Sequence, residues 1–426
     1  MNRFCLLGDF ISAPTPELLV EHPGSCLLIE EGRQVGFFDR PPEGCPVLDY
    51  RGHLIIPSFI DLHVHAAQYP NMGLGMDLPL LPWLDAYTFP LEMRYAEAAY
   101  AKRVYPAFWQ ALWRSGSLRA CVFSSIHEEA TNLLMDQGQE SGLIAYVGKV
   151  NMDRNAPEGL RESTQDSLAA TERWLRKNQS LSHRIRPMIT PRFVPSCTQE
   201  LMQGLGALAQ QYNVPVQSHI NENQDEVAWV ASLHPEAPDY LGVYEAFDLI
   251  RPQQTILAHA IYNTPREEEA YAAQSIFLAH CPNANLNMSS GMMKCAHLLR
   301  RGDILMGLGS DVAGGNTLFI PRVMVNAMRT SNLLHLTDPT DDPLTLSEAF
   351  YLGTRGSGRF FGDCGAFCPD FSADLLVLND EKARGLRPMT LTERLSRFVF
   401  SGDPQEIVLR MLEGRSLPDP LAAPQS

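Results

Sequence analysis

Two imidazoles stand one residue apart in IIPSFIDLHVHAAQY, residues 55–69. The run before them is apolar and β-like. Side chains alternate faces along a strand, so His63 and His65 point one way and Val64 the other. A second apolar run, VPVQSHINEN, carries His219, with Glu222 three residues on. A third, TILAHAIYN, ends near His259, and a fourth, ILMGLGSDVAGG, passes through glycines into Asp311. Neutral imidazoles and a carboxylate are the usual donors to zinc or a similar divalent ion, and three His with one Asp leave room for a water. A metal in such a set lowers the pKa of its water toward about 7. Glu222, just past His219, is placed to take a proton from that water and hand it to a ring nitrogen. His-x-His alone is a weak signal, and an isolated Glu reads as a solvated loop carboxylate. Four strand ends presenting these residues in order read together as a catalytic site.

Such side chains need a scaffold that ends several strands at one mouth. Strand-like and helix-like runs alternate through the middle of the chain, the pattern of βα units around a parallel sheet. Inner strands are expected to end near His65, Ser124, Asn151, Arg192, His219, His259, His280 and Asp311, with helices in AEAAYAKRVYPAFWQALWRSG and TQELMQGLGALAQQYN between them. Eight strands predict a (β/α)8 TIM barrel, whose chemistry sits at the C-terminal strand ends. Short strand-like runs open the chain (FCLLGDFISA, CLLIEEGRQVGFF, PVLDYRGHLII) and resume in ADLLVLND and RFVFSG. The expected division is therefore a small β-sandwich built from residues 1–56 and 365–426 around a barrel of residues 57–364. The last residues, PLAAPQS, read as loose.

Composition narrows the function. The 426 residues carry a net charge of −15, which repels phosphate backbones and disfavours nucleic acid as a partner; a small neutral ligand suits the chain better. The sequence shows no signal peptide and no apolar run of membrane length. Nine scattered cysteines fit free thiols in a reducing cytoplasm, and Cys364 and Cys368 in DCGAFC are read as structural. His22, His53, His183, His234, His297 and His335 fall in turns or helical runs and are read as structural or surface residues. His127 and His280 lie on the active face as pocket wall or support for the ligands.

With these residues in view, the sequence resembles the amidohydrolase superfamily and, within it, the guanine deaminase family. The superfamily part is His63-x-His65, His219, His259 and Asp311. The narrower part is HAAQYPNMGLGMDLPLLPWLDAYTFPLE, VGKVNMDRNAP, TPRF, SHINEN, AHCPNANL and GSDVAGG. The resemblance implies a zinc-dependent hydrolase of a cyclic amidine C–N bond that turns guanine into xanthine and ammonia in purine catabolism. It implies one zinc per chain on His63, His65, His219 and Asp311, with His259 a ligand or a hydrogen-bond partner of the attacked centre. Glu222 would shuttle the proton with His259 and Asp311 beside it. Gln68, Arg192 and Phe193, along with His219 and Glu222, would contact the purine. A homodimer is implied by the same analogy. Phe193 and Trp83 could supply flat surface to a pocket.

Departures from the family pattern are Ser58 after Pro57, Ala67 in HAAQ, Ala260 after His259 and Ser310 before Asp311, together with PDFSADLLVL in the tail. None removes a catalytic side chain. The competing readings keep the chemistry on another aminated ring (8-oxoguanine or a pterin) or make the chain an inactive binding paralogue, against which the intact ligand set argues. RPMITPRF offers no bridging Lys, which favours one metal over two, and the Cys-x-x-Cys of the other nucleobase deaminases is absent.

Overall fold

The computed structural model describes residues 2–179 and 184–422, so His183 and the last four residues lie outside the described residues. The opening strands are β1 (Arg3–Thr15), β2 (Leu18–Glu30), β3 (Arg33–Phe38) and β4 (Val47–Pro57). The middle of the chain carries β5 (Phe59–His65), β6 (Ser117–Phe123), β7 (Ile144–Gly148), β8 (Val150–Asn151), β9 (Ile185–Pro187) and β10 (Thr190–Pro191). It continues with β11 (Val216–Ile220), β12 (Thr255–His259), β13 (Phe277–His280) and β14 (Leu305–Leu308). Last come β15 (Leu375–Leu378), β16 (Ile407–Leu412) and β17 (Arg415–Ser416).

The architecture is α/β. Strands β5, β6, β7 and β9 form one parallel sheet and β11 to β14 a second. Every residue of β5, β6 and β11 to β14 is buried, as expected of parallel strands covered on both faces. Helices such as Ala98–Ser115, Glu128–Ser141, Gln199–Tyr212 and Pro265–Ala273 make the return crossings that parallel neighbours require. On one side the two sheets approach through the parallel pair β8–β10 and a bridge from Ile189 to Val216. On the other, Asp311 N donates to His63 O (2.8 Å) and His65 N to Val312 O (3.0 Å).

Strands from both ends of the chain meet in one seven-stranded sheet, in the order β17-β16-β15-β4-β1-β2-β3. Its central strands alternate in the manner of a sheet buried on two sides. Leu54, Ile56, Leu376 and Leu378 join the large core shared with the helices, while Ile55, Leu375 and Val377 pack with Phe4, Leu6 and Phe10. A buried ion pair ties this sheet to the parallel strands: Arg119 Nε on β6 donates to Asp374 Oδ2 at 2.8 Å.

RFVFSG is not a strand. Residues 397–401 of it belong to the helix Leu391–Ser401, which ends at Gly402 and where the side chain and backbone of Thr390 and Glu393 cap each other's orphan groups. Leu391, Arg394, Leu395, Phe398 and Val399 are buried at helical spacing, so the apolar pairs that mimic strand alternation are one face of a helix. The strand of this region is β16, in IVLRML.

Candidate active site

The strand ends bring the expected donors together. His63 and His65, on one face of β5, have Nε2 atoms 3.2 Å apart. His219 Nε2, from β11, is 3.3 Å from His65 Nε2. Asp311 Oδ1 lies 3.2 Å from His63 Nε2 and 3.3 Å from His65 Nε2, and its Oδ2 is 3.7 Å from His259 Nε2. Donor atoms of His63, His219, His259 and Asp311 all fall within 4.8 Å of one another. Each of the five residues is buried.

Local backbone aims them. His259 (φ 78°) and Asp311 (φ 47°) adopt the left-handed conformation just where β12 ends and just past β14, and Ala260 (φ 45°) follows suit. Non-glycine residues seldom sit there, and when they do they cluster at functional sites. Gly309 leaves room for the ring on β5: a Cβ in its place would lie 2.7 Å from His63 Cβ and 2.9 Å from Cys281 Sγ.

Hydrogen bonds from behind set the tautomers. His219 Nδ1 is 2.5 Å from Arg192 O, and since a carbonyl only accepts, this nitrogen donates and the neutral ring turns the Nε2 lone pair inward. His259 Nδ1 is 2.8 Å from Asn285 Oδ1, and although burial opposes it, the carboxylates of Glu222 and Asp311 raise the His259 pKa. Burial lowers the His63 pKa to about 4 and holds His219 well below the ordinary imidazole range, which keeps the rings in their metal-binding form. His63 and His65 Nε2, His65 and His219 Nε2, and His63 Nε2 and Asp311 Oδ1 stand 3.2–3.3 Å apart, a convergence of donor atoms on one point that a shared cation satisfies. The donor set therefore fits a divalent metal.

Glu222 lies past β11 with Oε2 3.5 Å from His259 Nε2, and Ser290 Oγ donates to its Oε1 at 3.3 Å. Burial pushes its carboxyl up to about 7, helped by the nearby Glu226 and Asp311 and opposed by His259. Gln68, Arg192, Phe193, His219, Glu222 and Trp83 line one cleft with His65, His259 and Asp311. Its roof is apolar, from Leu80 and Leu84 of the insertion after β5 and from Met288.

His280 is fully buried outside the donor cluster, with neither ring nitrogen hydrogen-bonded among the described residues. His127 is half-buried and also outside the cluster. Three residues of the site escape sequence reasoning. Asn285 and Ser290 act on His259 and on Glu222 across 26 and 68 residues of chain. Glu92 is the third: its Oε2 pairs with Arg192 Nη1 at 2.7 Å and its Oε1 accepts from Gln68 Nε2 at 3.0 Å. No spacing rule connects such positions; the quoted stretches that contain Glu92 and Asn285 marked the segments without marking the residues.

Residues 54–417 match the amidohydrolase family. The chain belongs to that family. This amidohydrolase is 35% identical over 382 residues to guanine deaminase of Dictyostelium discoideum, covering 87% of this chain and 84% of that one. It is 36% identical over 345 residues to guanine deaminase of Homo sapiens, covering 79% and 75%. The crystal structure of guanine deaminase from C. acetobutylicum with bound guanine in the active site superposes with a TM-score of 0.95 at 39% identity, over 98% of this chain and all of that one.

Proposed function

We propose that this amidohydrolase is a guanine deaminase, converting guanine and water to xanthine and ammonia. The observation that carries the reading is the shared cleft, lined by His65, His219, His259, Asp311 and Glu222 together with Arg192 and Gln68. Likeness to guanine deaminases over most of the chain supports the substrate.

A divalent ion held by His63, His65, His219 and Asp311, with His259 at its edge, would acidify a water for attack. We assign that ion as one zinc per chain, because imidazole with a single carboxylate suits zinc. Glu222 takes one proton from the water as oxygen adds to guanine C2, and delivers it to the neighbouring ring nitrogen. Asp311, within 3.7 Å of His259, helps carry the second proton to the departing amine. Bond and proton counts balance: the C2–N bond breaks, a C2–O bond forms, and ammonia leaves. Arg192 donates to the O6/N7 edge, Gln68 supplies a second polar contact, and Phe193 flanks the ring plane.

The scaffold reading follows. We take the two parallel sheets as halves of one closed (β/α)8 barrel of residues 57–364, with residues 1–56 and 365–426 as the smaller β domain. Nine free cysteines support a cytoplasmic location, and the family resemblance supports a homodimer.

The test is ammonia release from guanine, adenine, 8-oxoguanine and pterin, with metal content measured on the same sample. Guanine should be preferred over adenine by about 10⁴, since buried donors left facing an amine are unpaired. Turnover of a pterin in preference to guanine, or full activity after exhaustive chelation with no metal left, would refute the reading.

A further inference from the structure

We propose that Glu92 is a positioning residue whose two carboxylate oxygens fix the Arg192 guanidinium and the Gln68 carboxamide, and so decide which purine edge the cleft accepts. The inference rests on the reading of Arg192 and Gln68 as purine contacts.

Glu92 is 1% exposed and Arg192 5%, so their 2.7 Å contact is a desolvated ion pair whose geometry water does not loosen. The second oxygen of Glu92 holds Gln68 Nε2 at 3.0 Å, and Gln68 Oε1 accepts from Ala313 N at 3.3 Å. That network assigns the amide orientation. A carboxylate only accepts, so it satisfies both donors together; no neutral side chain of that shape does. Flipping Gln68 would bring its oxygen against a carboxylate oxygen, so Glu92 forbids the flip. Arg192 is constrained further along its own backbone, where its carbonyl receives His219 Nδ1–H.

The consequence is a fixed donor pattern. With Arg192 and the Gln68 amide pinned, the cleft cannot turn an acceptor toward an amine at C6, and guanine is favoured over 2,6-diaminopurine. In Glu92→Gln one of the two acceptor oxygens becomes an amide nitrogen, so either Arg192 or Gln68 Nε2 loses its acceptor. Ala313 N still holds Gln68 Oε1, but the two purine-facing groups are no longer pinned together and the discrimination relaxes. Glu92→Asp keeps the buried charge but retracts the carboxylate by one methylene, so it no longer spans both partners.

The experiment compares kcat and KM for guanine and 2,6-diaminopurine in wild type, Glu92→Gln and Glu92→Asp, with metal content and melting temperature alongside. The guanine:diaminopurine ratio of kcat/KM should fall at least about tenfold in Glu92→Gln, chiefly through KM for guanine, with metal retained; a tenfold change corresponds to about 1.4 kcal/mol. Glu92→Asp should raise KM for guanine with metal retained, and it alone decides the matter if Glu92→Gln does not fold. Equal proportional loss on both purines, or unchanged kinetics, overturns the inference. A wild type that releases no ammonia from guanine sinks the functional reading and this inference together. A wild type active on guanine with unaltered variants sinks this inference alone.

Discussion

Glu222 has one oxygen 3.5 Å from His259 Nε2 and the other accepting from Ser290, at the wall of the cleft that holds the metal donors. Its replacement by Gln keeps shape and neighbours but removes the group that can carry a proton. General acid–base catalysis is worth about 10² to 10⁴ in rate. Glu222→Gln should therefore lower kcat by that range while metal content stays at the wild-type level. Turnover close to wild type in a metal-replete sample would strip Glu222 of this role. Ala260 makes the opposite kind of prediction. It holds φ 45°, and a left-handed L-residue costs roughly 1–2 kcal/mol. Glycine would relieve that and lose somewhat less, about 0.5–1 kcal/mol, in backbone entropy. Ala260→Gly should raise the denaturation midpoint slightly, by the equivalent of up to about 1 kcal/mol. A fall in the midpoint would mean that the Ala260 methyl contributes more through packing.

At the scale of elements, strand β14 runs into Gly309, which packs directly against His63 of β5, and then through Ser310 into Asp311. Gly309→Ala would place its methyl carbon 2.7 Å from His63 Cβ, behind a buried ring packed edge-on against His65, Phe123 and His219. Overpacking of this kind costs about 1–3 kcal/mol. The variant should lose stability in that range and bind its metal about 10–100-fold more weakly, as changes behind a ligand do. Retained metal affinity would show that β5 can shift without cost. The same elements explain what the sequence revealed and what it hid. The metal donors were legible because each ends an apolar strand, and a strand end is a local pattern. Phe193 and Arg192 became legible only through TPRF and the family resemblance. Glu92, Asn285 and Ser290 were not legible: their partners are distant in sequence, and a polar residue in a loop looks alike whether it braces a site or faces water. RFVFSG was misread as a strand because a short apolar run has no period of its own, while the Thr390–Glu393 cap that starts its helix lies seven residues upstream.

The whole molecule hangs together through contacts between the seven-stranded sheet and the parallel strands. Arg119 and Asp374 form one such contact inside the protein, with Asp374 Oδ1 also receiving Glu413 N at 2.8 Å and Ser372 Oγ at 2.6 Å. Removing one partner of a buried pair leaves an uncompensated charge and costs about 3–5 kcal/mol. Asp374→Ala should lower the midpoint of chemical denaturation by a corresponding amount, while the metal site, at the opposite ends of the parallel strands, keeps its affinity in the folded protein. A midpoint within about 1 kcal/mol of wild type would mean that Arg119 finds another partner or water.

The seating of β4 between β1 and β15 has a further bearing on how the chain is made. Synthesis runs from the amino end, so β1 to β4 leave the ribosome ahead of β15, and the strand that covers β4 follows only after residues 58–374 have been translated. At roughly 5–20 residues per second that interval is on the order of tens of seconds. Through it, the hydrogen-bonding edge of β4, with Leu54, Ile55 and Ile56 along it, has no neighbour from its own chain. An apolar strand edge left open is a template for pairing with another chain. The nascent protein is therefore open to strand-edge pairing at β4 until β15 is made, and a chaperone that masks a strand edge during translation would act there.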